Sequence, residues 1–324
     1  MSFKDIKGQA SALEIIEGNI SSGRTFSSYL FVGPGGVGKR LAAKNFAKAV
    51  NCLDTGADPC DECVSCRKID MEAHPDVALV EPKGAASAIG IGEIRSIITK
   101  ANFKPYAGRK KVFIIDDAQL LTSEASNAFL KTLEEPPRNT IFILIATSKE
   151  LLIATIVSRC HMVRFHTASP ELVSALMSEK FKLTKKESQV LGGFSNGRIG
   201  EAVRMMETDF IGRKNRAIDS LFCAGTPPGE ESDIYGDKET LKDNIDFLIS
   251  YLRDIFLYKA VPDGGSIFNI DRRDEIREQA HVYSEEFLEN SIKRAIDLRS
   301  CIDKNVNPKI VADVLIGEMR KFEE

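Results

Sequence analysis

Two short clusters in this 324-residue chain have residue types and spacing that could do chemistry. The first runs Gly33-Pro34-Gly35-Gly36-Val37-Gly38-Lys39-Arg40. Its Gly33, Gly38 and Lys39 meet the G-x-x-x-x-G-K pattern of a phosphate-binding loop. An apolar run, Ser28–Val32, precedes it, and residues 41–50 have helical periodicity. Strand, glycine-rich loop and helix is the context the motif requires. Glycines let backbone N–H groups point at phosphate oxygens, and the helix N-terminus adds partial positive charge. Lys39 would reach the outer phosphates. The next position ordinarily carries Ser or Thr, whose hydroxyl ligates Mg²⁺. Arg40 stands there instead and cannot ligate a cation. The loop therefore predicts a nucleotide site that is weak, vestigial or non-hydrolytic. The plainer alternative is a Gly/Pro turn that matches by chance, with Arg40 a solvated helix residue.

The second cluster is Cys52, Cys60, Cys63 and Cys66. Four thiolates at short spacing suit tetrahedral Zn²⁺ and leave no open coordination position, so a structural zinc is expected. A metal-free reduced cluster, an iron–sulfur site or a redox pair are the alternatives. The turn-type and polar residues Asp58, Pro59, Asp61 and Glu62 suit a loop wrapped round an ion. Cys160, Cys223 and Cys301 stand alone and read as small buried hydrophobes.

The elements that must position these groups follow from hydrophobic patterning. Helices are expected over residues 11–22, 93–101 and 122–133, the last with Ser123 as its cap and Pro136-Pro137 beyond its end. Strands are expected at Val77–Val80, residues 111–116, Thr140–Ala146 and residues 161–165. Helices alternating with continuous apolar strands predict an α/β core, a parallel sheet covered on both faces. After His166 the strand signals stop. Short helices are expected at residues 170–180, 185–192 and 199–206, then an all-helical region broken at residues 225–232 and 261–266. The domains read as 1–166 with the cysteine module at 52–66, then 167–208, then 209–324. No internal repeat is visible.

Composition is that of an ordinary globular protein, 43% hydrophobic and 28% charged, with a net charge of −3. Such a balance argues against strong DNA binding by this chain alone. No apolar run reaches membrane-spanning length, and the first residues lack the apolar core of a signal peptide. A cytoplasmic protein with no membrane association is expected.

Asp116 ends an apolar strand, at the edge where open α/β sheets bind ligands. An acid there commonly holds Mg²⁺ through water. Asp117 follows where ATPases of this architecture usually place Glu, and one methylene less displaces a general base. The pair could equally cap the following turn.

The chain resembles the AAA+ clamp-loader subunits of bacterial DNA polymerase III. Phe3, Asp5, Ile6, Gly8 and Gln9 are similar to the adenine-side box. Residues 127–137, Asn-Ala-Phe-Leu-Lys-Thr-Leu-Glu-Glu-Pro-Pro, resemble a clamp-loader signature, and Ser158-Arg159-Cys160 resembles the Ser-Arg-Cys motif. The cysteine insert after the phosphate-loop helix also matches. The resemblance covers the whole chain and implies an AAA+ P-loop core with a zinc insert, a small helical lid and an all-α collar. Motor subunits of the gamma/tau type carry Gly-Lys-Thr and Asp-Glu; Lys39-Arg40 and Asp116-Asp117 depart from both, as the delta-prime type often does.

The resemblance implies a hetero-oligomer with gamma/tau and delta subunits that loads a sliding clamp on primed DNA with ATP. Arg159 would act in trans at a neighbouring ATP site. Arg198 resembles the sensor arginine of the lid, and Thr147 the polar sensor beside the γ-phosphate. Without the resemblance, Arg159 is a surface arginine, Arg198 a solvated helix charge and Thr147 a common strand-end residue. An active gamma/tau-like motor is the competing reading within the family. Outside it stands a P-loop small-molecule kinase, which lacks any acceptor motif. The site set is then Gly33, Gly35, Gly36, Val37, Gly38, Lys39, Arg40, Asp116, Thr147 and Arg198 for ATP or ADP, with Asp117 as a weakened base. Mg²⁺ is not expected to be held as in a hydrolytic site.

Overall fold

A computed structural model describes residues 2–54, 56–83, 88–221, 237–261, 267–304 and 306–320. The chain divides into two compact units, residues 1–169 with 197–200, and residues 170–196 with 201–324.

The first unit is built on a five-stranded sheet, all parallel, of order β2-β3-β4-β1-β5. The strands are β1 (Ser28–Val32), β2 (Val77–Val80), β3 (Lys111–Ile115), β4 (Thr140–Ala146) and β5 (His161–Arg164). Side chains alternate between faces with period two. On one face Tyr29, Phe31, Val112, Ile114, Ile141, Ile143 and Ile145 pack with α1 (Ala10–Ser21) and α2 (Lys39–Asn51). On the other, Leu30, Phe113, Ile115, Phe142 and Leu144 meet α4 (Ile91–Ala101) and α5 (Ser123–Glu134). Both faces are dry, which is why β3 and β4 read as unbroken apolar runs.

Two expected details change. The cap of α5 is Thr122, whose side chain accepts from the Ala125 amide, and Ser123 is the first helical residue. A short α3 (Val64–Asp70) closes the cysteine loop; a further short helix, α6 (Ala154–Val157), precedes β5. Neither is long enough to show a helical period.

The second unit is helical among the described residues. α7 (Pro170–Phe181) and α8 (Lys185–Phe194) form a hairpin. Gly192 is needed there, because a Cβ would come 2.6 Å from the Pro170 carbonyl oxygen. α9 (Ile199–Glu207), α10 (Phe210–Leu221), α11 (Lys238–Ala260), α12 (Arg273–Val282), α13 (Glu285–Asp303) and α14 (Pro308–Arg320) follow. The buried stripe of α11, Leu241, Ile245, Leu248, Leu252 and Ile255, recurs at three- and four-residue spacing. A polar knot lies beneath it. Asp254 Oδ2 accepts from the amides of Phe268 (2.9 Å) and Asn269 (2.7 Å), and Lys214 Nζ donates to Asn269 Oδ1 (3.0 Å) and Asp271 (2.9 Å). The expected break at 225–232 and Cys223 lie outside the described residues, as does most of the break at 261–266. Cys160 and Cys301 are half-buried, not fully enclosed. Burial nonetheless pushes the Cys160 thiol up to about 12.

Candidate functional site

Register sets the geometry of the phosphate loop. Val32 pairs with Ala146, and the Gly33 amide donates to the Ala146 carbonyl at 3.2 Å. The loop therefore leaves β1 level with the end of β4, and Thr147, exposed, follows at that same edge. Gly33 approaches β5 so closely that a Cβ would lie 2.2 Å from the Phe165 carbonyl oxygen. Gly38 caps α2 with a left-handed φ of 98°, a conformation glycine adopts without penalty. Val37 is buried while Gly35 and Gly36 are exposed. The Gly36 carbonyl accepts from the Gly200 amide at 2.8 Å. Arg198 is thus placed beside the loop, between Gly197 and the glycine that touches it.

Lys39 is buried, and its ammonium donates to the loop carbonyls of Gly33 and, at 2.6 Å, Pro34. Burial holds its pKa below the ordinary lysine value, opposed by the charges of Asp116 and Asp117. Arg40 reaches across to acids. It is ion-paired with Glu81, and stands 3.5 Å from Asp116 Oδ2 and 3.7 Å from Glu72 Oε1. Asp116 follows β3 directly; burial and the neighbouring Asp117 raise its pKa, against the pull of Arg40. Asp117 has a left-handed φ of 48°, and its carboxylate accepts from Gln119 Nε2 at 2.9 Å. Glu72 and Glu81 were not foreseen. They lie 32 and 41 residues from Arg40, so no local pattern announces them.

Arg159 lies elsewhere. β5 begins at His161 opposite Tyr29, so Arg159 belongs to the edge of the sheet where strands start. The phosphate loop is at the edge where they end, roughly 20 Å away at about 3.3 Å per residue. Its guanidinium is held by Glu134 of the 127–137 signature (Nε to Oε1, 2.9 Å), by the Thr155 carbonyl (2.9 Å) and by Ser158 Oγ (3.2 Å). The partnership with Glu134 was also not foreseen.

The cysteine cluster forms as expected. The Sγ atoms of Cys52, Cys60, Cys63 and Cys66 lie within 4.8 Å of one another, a set that fits a tetrahedral metal. Amides are turned onto the sulfurs, Cys63 N to Cys60 Sγ at 3.3 Å and Cys66 N to Cys63 Sγ at 3.4 Å. Burial opposes ionisation of Cys63, but the Leu53 and Cys66 amides and neighbouring thiols outweigh it and lower its pKa to about 6. The module is tied to its surroundings. Lys48 of α2 is ion-paired with Asp61 inside the loop and Asp70 of α3. Asp58 Oδ1 accepts from the Phe3 amide at 2.9 Å. The opening segment is pinned again by Gln9, whose side chain exchanges two hydrogen bonds with the backbone of His166.

Comparison with known proteins follows the same lines. The chain is similar to the tau subunit of DNA polymerase III from Bacillus subtilis (strain 168), 33% identical over 288 residues covering 80% of this chain. It spans about half of that relative's length, 51%. It is 25% identical over 317 residues to subunit delta' of the same organism, covering 95% of each. A solved gamma subunit-related protein from Thermotoga maritima aligns over 97% of this chain and 100% of its own, with 18% identity and a TM-score of 0.49. The family model described as DNA polymerase III, delta subunit, matches residues 8–169, half of the chain, and the chain accordingly belongs to that family of polymerase III clamp-loader subunits.

Proposed function

We propose that this chain is a delta-prime-like, non-motor subunit of the clamp loader. Its AAA+ core (1–166) carries the zinc module, 167–208 is a helical lid, and 209–324 is the collar that joins it to gamma/tau and delta subunits. The whole assembly, in the cytoplasm, loads the sliding clamp on primed DNA. The observation that carries this reading is the placement of Arg40 against Asp116, where a motor would have a hydroxyl and a metal. The coverage of 95% of each chain in the delta' comparison supports it. The higher identity to tau, 33%, favours the competing motor reading, which the Arg40 and Asp117 substitutions weigh against.

In this role Arg159 completes a neighbour's ATP site. It is too far from its own phosphate loop to serve it, and Glu134 orients a planar, permanently charged fork suited to phosphate oxygens. Thr147, Arg198 and Lys39 remain around the chain's own cradle, whose hydrolysis is weak or absent. Zn²⁺ at the four cysteines would be structural, with every coordination position filled by the protein. The test is DNA- and clamp-stimulated ATPase of reconstituted complexes. Arg159→Ala should leave assembly intact and remove turnover at one interface, where an arginine in trans is worth about 10³-fold or more. Arg159→Lys should rescue little, having lost the fork. Wild-type rates in the Ala complex would refute the assignment.

A further inference from the structure

The surroundings of Arg40 are those of a metal ion. A hydrolytic phosphate loop places a hydroxyl after its lysine and an acid at a nearby strand end, with the cation between them. Here three carboxylates converge on a guanidinium instead. Arg40 is paired with Glu81, 3.5 Å from Asp116 Oδ2 and 3.7 Å from Glu72 Oε1. A divalent ion on Asp116 would sit a few ångströms from a permanent cation, and the repulsion falls inside a part-buried cleft. The residues present do not fit Mg²⁺.

The rest of the cradle fits phosphate. Gly35 and Gly36 are exposed, and no neighbouring atom comes within 4 Å of a Cβ built at Gly35. The Gly36 carbonyl is taken by Gly200. Lys39 and Arg40 occupy the first two positions of α2, with no acid in that turn. Two cations at the positive end of a helix are unfavourable. The acids beside Arg40 relieve one of them. The Lys39 ammonium donates to the Gly33 and Pro34 carbonyls, with the charges of Asp116 and Asp117 near it, and a bound anion would relieve it further.

We propose that Arg40 holds the place of the divalent ion, so that the loop binds the polyphosphate of ATP or ADP free of metal. This rests on reading the loop as a nucleotide cradle and is independent of what Arg159 does. A guanidinium has five donors, so it can stay on Asp116 while bonding a phosphate oxygen. The inference also makes Arg40 a specificity residue, selecting the uncomplexed nucleotide over its magnesium complex.

The experiment is calorimetric titration of ATP into the full chain, once with EDTA and once with excess Mg²⁺. Binding in EDTA should be at least as tight as in Mg²⁺. Arg40→Ser restores a hydroxyl and frees Asp116, and its binding should become metal-dependent, about tenfold or more tighter with Mg²⁺. Arg40→Gln keeps the length without the charge and should lose about tenfold in EDTA. Electron paramagnetic resonance with Mn²⁺ and ATP gives a second readout. A protein-bound manganese signal should appear with Arg40→Ser and not with the wild type. Wild-type binding about tenfold weaker in EDTA than in Mg²⁺, or a protein-bound manganese signal in the wild type, would overturn the proposal. Absence of ATP binding under both conditions would overturn it too, while leaving the role of Arg159 standing.

Discussion

Lys48 joins the phosphate-loop helix to the cysteine module, and Lys48→Met tests how far the two depend on each other. Its side chain is 0% exposed, while those of its partners Asp61 and Asp70 are 28% and 39% exposed. Burial works to lower its pKa, but the hydrogen bonds and charges of Asp61 and Asp70 prevail and hold it above the ordinary lysine value. A charge-assisted hydrogen bond contributes about 1.5–3 kcal/mol, so the two acids together give roughly 3–6 kcal/mol before solvent is considered. The carboxylates left behind can partly rehydrate, and methionine refills the space of the lysine stem. The net loss should be about 2–3 kcal/mol. Roughly half belongs to Asp61, inside the cysteine loop, whose order would be coupled to the binding of the proposed metal. Zn²⁺ affinity should therefore fall about tenfold. Competition against a chromophoric chelator measures that loss, and denaturant unfolding with and without metal measures the rest. Asp70→Asn, outside the loop, should lower stability and leave metal affinity within about twofold. Because the folded pKa of Lys48 is raised, its contribution is complete below the unfolded value. It is lost only as pH rises through the folded value, so no change is expected between about pH 6 and 9. Unaltered zinc affinity in Lys48→Met would refute the coupling.

Asp76 accepts the amides of Tyr106, Ala107 and Gly108 at 2.7 Å each; Asp76→Asn should cost about 2–4 kcal/mol in denaturant unfolding at neutral pH. Burial raises the Asp76 pKa but those amides outweigh it, leaving it low, so its contribution holds above the ordinary carboxylate value of about 3.9 and fades as pH falls through the folded value. Gly33→Ala would put a Cβ 2.2 Å from the Phe165 carbonyl oxygen; forcing β5 aside should cost about 1–3 kcal/mol, and an unchanged Tm would contradict this. Glu134→Ala should change the stability of this chain by less than about 1 kcal/mol yet lower the ATPase of the complex in the same direction as Arg159→Ala. The double variant should then be no worse than Arg159→Ala alone; full additivity would mean that Glu134 acts by another route.

What the sequence discloses depends on whether the governing interaction is local. β1 and β4 are found at their expected limits because strands dry on both faces announce themselves as continuous apolar runs, and the half-buried edge strand β2 is found at its limits as well. The phosphate loop is legible because a strand, a glycine-rich turn of four glycines and a lysine must be contiguous to work. The cysteine cluster is legible because four thiols gathered by one small loop must be near in sequence. The polar partners that give these groups their character are not contiguous. Arg40 looks like a defect in a motif until Glu72, Glu81 and Asp116 surround it. Arg159 looks like a surface charge until Glu134, 25 residues earlier, is seen to hold it. Lys48 looks like an ordinary helix cation until Asp61 and Asp70, 13 and 22 residues later, are seen to hold it, and its burial needs those partners. The same reasoning bears on Asp116 and Asp117. As a sequence pair they resemble the metal-and-base end of an ATPase, but in the fold one faces a guanidinium and the other a glutamine. A dication needs acids left open to it, and here a resident side chain has closed one of them. The departures at residues 40 and 117 therefore reinforce each other, and the weak turnover proposed for this chain would come from an altered constellation rather than from one missing hydroxyl.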